Sequence, residues 1–469
     1  MLSAQRFARF CLCLLIGVLL WPGNILQAAP PQTHPTFRIA AFSADVTVPM
    51  GHGMMGGSWL SKSVVDPLQA HGFVILSSQP EFSPVVYVSV DWCEIRNEAL
   101  DRWKAALAEA AGTKPERVMV STIHQHDAPV ADLDAERILR AHGAKGTVCD
   151  LDFHEVAVKR VAGALREALP SAKPLTHIGI GQAKVEQVAS NRRYVTSDGV
   201  VHFNRMSRNR LVSAREAEDG VIDPWLKALS FWDGDKPLVV LNVYAVHPMS
   251  YYGAGDVSAD FPGIARAKRQ GETVGVHQIY ATGCAGNVTP GKYNDGSKEN
   301  RPVLAGRIHA AMVAAWEATK RHPLENMTFR KSSVRFEPHD GPGWTVADLE
   351  KKLGDVKPFQ QCLAAMALSW RKRADVGQRI DIPMLDLGPA QLVILPGEAY
   401  VEYQLFAQQC RPDSFVVAVG YGEGATGYIP TEKHISEHDS NLSDWWWVAP
   451  GSEAPLKNAI REALAKSPE

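Results

Sequence analysis

Positive charge is not in excess in this chain. Its 469 residues hold 49 Lys and Arg against 51 Asp and Glu, a net charge of −2, with an isoelectric point near 6.8. A chain so balanced has no basic field to collect phosphates and no polybasic strip to hold an anionic membrane, so it points away from nucleic acid and toward small-molecule partners. Cysteine is sparse as well. Of the seven, Cys11 and Cys13 fall inside an N-terminal apolar run, leaving Cys93, Cys149, Cys284, Cys362 and Cys410. An odd number with no CxxC spacing indicates neither a zinc ribbon nor a dense disulfide framework, and leaves room for one or two bridges. There is no internal repeat and no low-complexity segment. The apolar run Phe10–Leu20 is too short for a comfortable membrane span.

What is present begins with a leader. Arg6 and Arg9 precede that apolar run, Ala28-Ala29 offers a cleavage point, and Pro30, Pro31 and Pro35 follow at once. Residues 1–29 therefore read as a secretory signal peptide, without the small residues that mark a lipoprotein before Cys11 or Cys13. The rest, 45% hydrophobic, suffices for a substantial core in one large domain or two.

Short apolar runs alternate with amphipathic helical patterns, an α/β order. Strands are expected at Val85–Val90, Arg117–Thr122, His177–Ile180, Ala228–Trp232, Leu238–Val246, Gln278–Thr282, Phe329–Phe336, Gln391–Leu395 and Phe415–Gly420. Helices are expected at Asn97–Ala111, Phe153–Leu169, Pro262–Arg269, Val303–Thr319, Pro358–Arg373, Glu398–Gln409 and Pro455–Lys466. The polar stretch beginning at Tyr293 reads as a surface loop.

Chemistry-bearing residues gather where those strands end. Ser121-Thr122-Ile123-His124-Gln125-His126-Asp127-Ala128-Pro129 leaves a β-branched run. Two imidazoles two positions apart share one face of a regular strand, and a loop starting there turns one away from the other, so both can reach one site in different roles. His247-Pro248 ends another strand. The glycines of Gly283-Cys284-Ala285-Gly286 suit either a ligand's close approach or a plain tight turn. Glu398, after Pro396-Gly397, is expected in the first turn of a helix, where it also suits the dipole. Tyr421 and Tyr428 lie in a glycine-dense stretch that reads most simply as a flexible loop with its tyrosines on the surface. Trp445-Trp446-Trp447 serves equally as a groove lining or as packing for the last helix.

The series Asp45-Val46-Thr47, IHQHDAP, VHPMS, ADFPG, GNVTPG, LPGE and GYIPTEKH resembles, in that order, the catalytic domain of the neutral/alkaline ceramidases and their shorter bacterial relatives. The match spans about residues 37–435 and rests on motif order more than on identity. It implies a mixed α/β fold with sheets packed between helices. It also implies a single zinc hydrolase domain over 30–469, lacking the extra C-terminal β-sandwich of true ceramidases. By the same resemblance His124, His247, Glu398 and Tyr428 hold zinc, His126 lies beside the metal-bound water, and Asn191-Arg192 matches the substrate-side arginine. Two departures concern substrate contacts: Asp127-Ala128-Pro129 replaces a small-polar Ser-Gly-Pro turn, and Asn287 stands where relatives carry aspartate.

Two imidazoles and a carboxylate are a normal catalytic zinc set, which agrees with the resemblance. The expectation is an exported zinc-dependent amidohydrolase acting on an N-acyl substrate, ceramide-like or smaller, with zinc as cofactor, His126 as proton shuttle and Arg192 holding substrate or the developing oxyanion. The alternatives are a zinc esterase or a secreted, non-catalytic binding protein. N-terminal sequencing of the exported protein should find the mature chain beginning close to residue 30, and an intact N-terminus would remove the leader.

Overall fold

The computed structural model describes residues 36–79 and 82–466, so the leader at 1–29 lies outside the described residues. Three mixed sheets follow one another along the chain. The first comprises β1 (Phe37–Asp45), β2 (Gln69–Ser77), β3 (Val85–Val90), β4 (Val118–Thr122) and β5 (Lys173–Leu175), in the order 5-1-2-3-4. The second comprises β6 (His177–Lys184), β7 (Trp225–Asp233), β8 (Lys236–Tyr244), β9 (His277–Thr282) and β10 (Lys320–Pro323), in the order 9-8-7-6-10. The third runs 11-12-13-14 through β11 (Thr328–Val334), β12 (Ile380–Asp386), β13 (Ala390–Ile394) and β14 (Phe415–Val419).

Each sheet is antiparallel except for one parallel pair: β3/β4, β8/β9 and β13/β14. These pairs contain the apolar runs visible in the sequence, and their alternation shows why they are mostly apolar. In β3, Val85 and Tyr87 enter a core shared by the three sheets, while Val86, Val88 and Val90 enter the core beneath the helices. In β14, Val417 and Val419 face the shared core and Val416 and Ala418 the other. A strand buried on both faces has no side to leave polar.

Helices cover the outer faces: Leu151–Ala168 lies on β1, Asp260–Glu272 on β9, Asn300–Glu317 on β6 and Glu453–Leu464 on β11. Local signals explain their ends. Asp150 caps Leu151–Ala168 through the amides of Asp152 and Phe153, and Gly112, at φ +66°, closes Asn97–Ala111. No helix among the described residues is long and apolar enough to cross a membrane.

Several expectations need correction. Glu398 is not in a helix: it sits in a two-residue parallel ladder, Glu398–Ala399 against Tyr428–Ile429, and the helix starts at Val401. Gly397, at φ +52°, turns the chain back so that Glu398 N–H donates to Gly427 O at 2.9 Å. The strand before His247 stops at Tyr244, two residues early. The five cysteines are free, so neither of the allowed bridges forms among them. The stretch from Tyr293 is not wholly superficial, because Asn294 is buried with its amide bonded to the carbonyls of Ser207, Met249 and Ser250.

Leu241 is fully buried in the core shared by the sheets, whereas Val200 is about half exposed. Leu241→Ala should cost about 2–5 kcal/mol in urea unfolding, and Val200→Ala no more than about 0.5 kcal/mol. Similar costs for both would mean the shared core does not bear the stability assigned to it.

Candidate metal centre

The C-terminal ends of the three parallel pairs meet, and the candidate residues leave from them. His124 follows β4, His247 follows β8, and Glu398 and Tyr421 follow β13 and β14. Backbone links join the three ends. Thr122 N–H donates to Tyr421 O at 3.1 Å, Gly420 N–H to Thr282 O at 2.9 Å, and the Thr282 hydroxyl to Ile123 O at 2.7 Å.

At this junction three side-chain atoms close on one another. His124 Nε2 lies 3.1 Å from His247 Nε2 and 3.2 Å from Glu398 Oε2, and His247 Nε2 lies 3.0 Å from the same oxygen. All three residues are buried. The opposite ring nitrogens are occupied: His124 Nδ1 faces Cys93 O at 3.0 Å and His247 Nδ1 faces Ala285 O at 2.6 Å. A carbonyl only accepts, so each Nδ1 carries a proton, and each ring, when neutral, turns an Nε2 lone pair toward the other. Two lone pairs and a carboxylate oxygen at such distances repel unless a cation lies among them. Glu398 Oε2 also has no hydrogen-bond partner of regular geometry although two nitrogens lie within 3.2 Å. The donor set therefore fits a divalent ion.

The electrostatics say the same. Burial alone would raise Glu398 and lower His124. Instead the imidazoles hold the Glu398 carboxyl well below the usual carboxylate range, and Glu398 with Cys93 holds His124 well above its ordinary value. His247 goes the other way, to about 4, through burial and then the charge of Arg192. A proton gathered on one imidazole is the charge an ion would replace.

His124 has φ +60°, a left-handed conformation seldom adopted outside glycine. That turn separates the two histidines as the sequence suggested. His126 stands beside the donors, its ring 5.5 Å from that of His124 and 5.8 Å from that of His247, with Nδ1 unpartnered. Burial, then the two neighbouring imidazoles, pushes its pKa well below the ordinary value. Arg192 is buried too: Nη1 donates to the Tyr428 hydroxyl at 2.8 Å and Nη2 approaches His247 Nε2 at 3.4 Å. It arrives through the ladder Ser190–Asn191 against Val288–Thr289, whose Val288 O also accepts His247 N–H. Tyr428 is the register partner of Glu398 across the other ladder.

Asn287, the departure noted in the sequence, holds backbone in place. Its carbonyl accepts Arg192 N–H at 2.7 Å, and its side-chain oxygen accepts Val401 N–H at 2.9 Å. Gly286 permits close approach, but to the chain itself: a Cβ there would lie 2.1 Å from Glu398 O.

One residue was misread. Tyr421 is buried, not superficial, and touches all three donor segments. Its ring stacks on His124 with centroids 4.2 Å apart, its hydroxyl lies 3.4 Å from His247 Nδ1, and its N–H donates to Gly397 O at 3.1 Å. The only hint in the sequence was an aromatic between Gly420 and Gly422, directly after a buried strand. The tryptophans pack behind the site: Trp445 Nε1 donates to Glu94 at 3.1 Å, Arg96 stacks on Trp447, and Trp445 O accepts Tyr428 N–H at 2.8 Å.

No family model and no curated protein matches the chain. Among solved structures it is similar to the neutral ceramidase from Pseudomonas aeruginosa, with a TM-score of 0.68 and 19% identity over 92% of this chain and 74% of that one. A ceramidase complexed with C2 gives a TM-score of 0.66 and 18% identity over 92% and 75%. At such identity the likeness speaks for architecture, and the chain has the neutral ceramidase fold.

Proposed function

We propose that this protein is an exported zinc-dependent amidohydrolase that cleaves an N-acyl amide, ceramide-like or smaller. The observation that carries the reading is the closure of His124 Nε2, His247 Nε2 and Glu398 Oε2 to within 3.2 Å of one another, on a fold shared with ceramidases. His124, His247 and Glu398 hold the ion, with Tyr428, in register beside Glu398, as the fourth donor. Zinc held there supplies Lewis acidity and activates water near neutral pH.

The chain's own side chains account for the rest of the chemistry. Hydrolysis puts a hydroxyl on the carbonyl carbon, breaks the C–N bond and sends a proton to the leaving nitrogen. Arg192 places a fixed positive charge beside His247, where it offsets the negative charge growing on the carbonyl oxygen. His126, neutral and with Nδ1 unpartnered, takes a proton from water and passes it to the departing nitrogen.

Metal analysis of the purified protein, with a panel of N-acyl amides of graded chain length and matched esters, tests this directly. His124→Ala and His247→Ala should lose zinc and activity together, while His126→Ala should keep near-stoichiometric zinc and lose roughly 10²–10⁴-fold in kcat. Full turnover in His126→Ala would end the shuttle role, and stoichiometric zinc without turnover of any amide would end the amidohydrolase reading. Replacing the ring that stacks on His124 should also weaken the ion: Tyr421→Leu should lower zinc affinity about 10–100-fold, with Tyr421→Phe close to the parent in a chelator competition. Equal affinity in all three proteins would leave Tyr421 a packing residue.

A further inference from the structure

A thiol beside the metal centre has no part in the proposed chemistry. Cys93 is buried and free, and its Sγ lies 3.9 Å from His124 Nδ1, whereas it is the other ring nitrogen, Nε2, that faces His247 and Glu398. Donor atoms of Cys93, His124 and His126 all fall within 4.8 Å of one another. An ion with bonds of about 2.3 Å to sulfur and about 2.1 Å to nitrogen reaches across the 3.9 Å between Sγ and Nδ1. His126 also has a buried Nδ1 with no hydrogen-bond partner. A free cysteine is ordinarily a small apolar filler. Here it stands with two imidazoles, and one sulfur with two nitrogens is a ligand set.

That set differs in kind from its neighbour. His124, His247 and Glu398 offer two nitrogens and a carboxylate oxygen, which suit zinc. Exchanging the oxygen for sulfur moves the preference toward soft ions such as cadmium and away from magnesium or calcium. Charge balance lets both sets be filled together. As a divalent ion binds, the Cys93 thiol and His124 Nδ1, whose proton now meets Cys93 O at 3.0 Å, each release a proton to solvent. Two positive charges leave and two arrive, so no net charge is added to a buried site. His126 is the half-buried member of the three, and an ion arrives from its side.

We propose that Cys93, His124 and His126 form a second ion site, selective for soft divalent ions, which stops the enzyme by engaging the imidazole of His126. The loss of turnover rests on the amidohydrolase reading, in which that imidazole carries the proton. The binding of the ion does not.

Cadmium added to the zinc-loaded protein tests this. The parent should take up one cadmium while keeping its zinc, by metal analysis after gel filtration, and should gain thiolate-to-cadmium absorption in the ultraviolet. Cys93→Ser, close to isosteric, should keep zinc and gain no such absorption. His126→Ala should gain it but bind cadmium about 10-fold or more weakly, since a direct donor contributes at least what an outer partner does. Turnover of the parent should fall as cadmium binds, and that of Cys93→Ser should hold at the same cadmium concentration. If no amide is turned over, the amidohydrolase reading falls, and the metal counts and the absorption still decide the ion site. Absorption that persists in Cys93→Ser comes from another cysteine and overturns the proposal. So does cadmium that displaces zinc one for one without sulfur absorption, or an unchanged cadmium affinity in His126→Ala.

Discussion

Three links between strand ends hold the site together: Thr122 to Tyr421, Gly420 to Thr282, and Thr282 to Ile123. Each joins a different pair of sheets, so the three parallel strand pairs are tied into a ring at the end where their loops begin. Parallel pairs send both strands out of the same edge, which is why ligands of α/β sheets bind beyond the carboxyl ends of strands. Here that rule acts three times on one point. His124, His247 and Glu398 come from residues far apart in the chain, yet their donor atoms lie within 3.2 Å of one another.

Such a site carries a cost that the surrounding residues offset. A buried carboxylate without partners is expensive, and Glu398 is not the only one here. Glu94 lies 4.0 Å from His124 Nδ1 and is held by Arg96 at 2.8 Å and by Trp445 at 3.1 Å. Arg96 in turn meets Asp132 at 3.0 Å and lies over the Trp447 ring. Neutralising Glu94 and Arg96 against each other leaves Glu398 and the imidazoles as the groups whose charge is unsettled, which suits a cation-binding centre. The unusual backbone lies in the same place: His124 and Tyr421 both have positive φ, and residues held in sparsely populated conformations cluster at functional sites.

The strand runs Val85–Val90 and Phe415–Val419 were legible because burial on both faces leaves a mostly apolar signal, and Asn97–Ala111 because its apolar spacing and Gly112 agree. The metal-type donors were legible as strand-end residues whose chemistry suits zinc, and their order along the chain pointed to the fold that the solved ceramidases share. Short ladders such as Glu398–Ala399 with Tyr428–Ile429 were not, since two residues carry no periodicity and their pairing is set by a remote partner.

By itself, then, the sequence determined the alternation of strands and helices, the buried character of the parallel pairs and the residue types offered at their ends. Those properties depend on neighbours a few positions apart, through side-chain period and local backbone preference. Tertiary structure alone decided that Tyr421 lies inside against His124, that Arg192 reaches the Tyr428 hydroxyl, and that the tryptophans brace the Tyr428 strand from behind. Each of these joins segments distant in the chain, and contacts of that kind exist only once the three sheets have closed on their shared core.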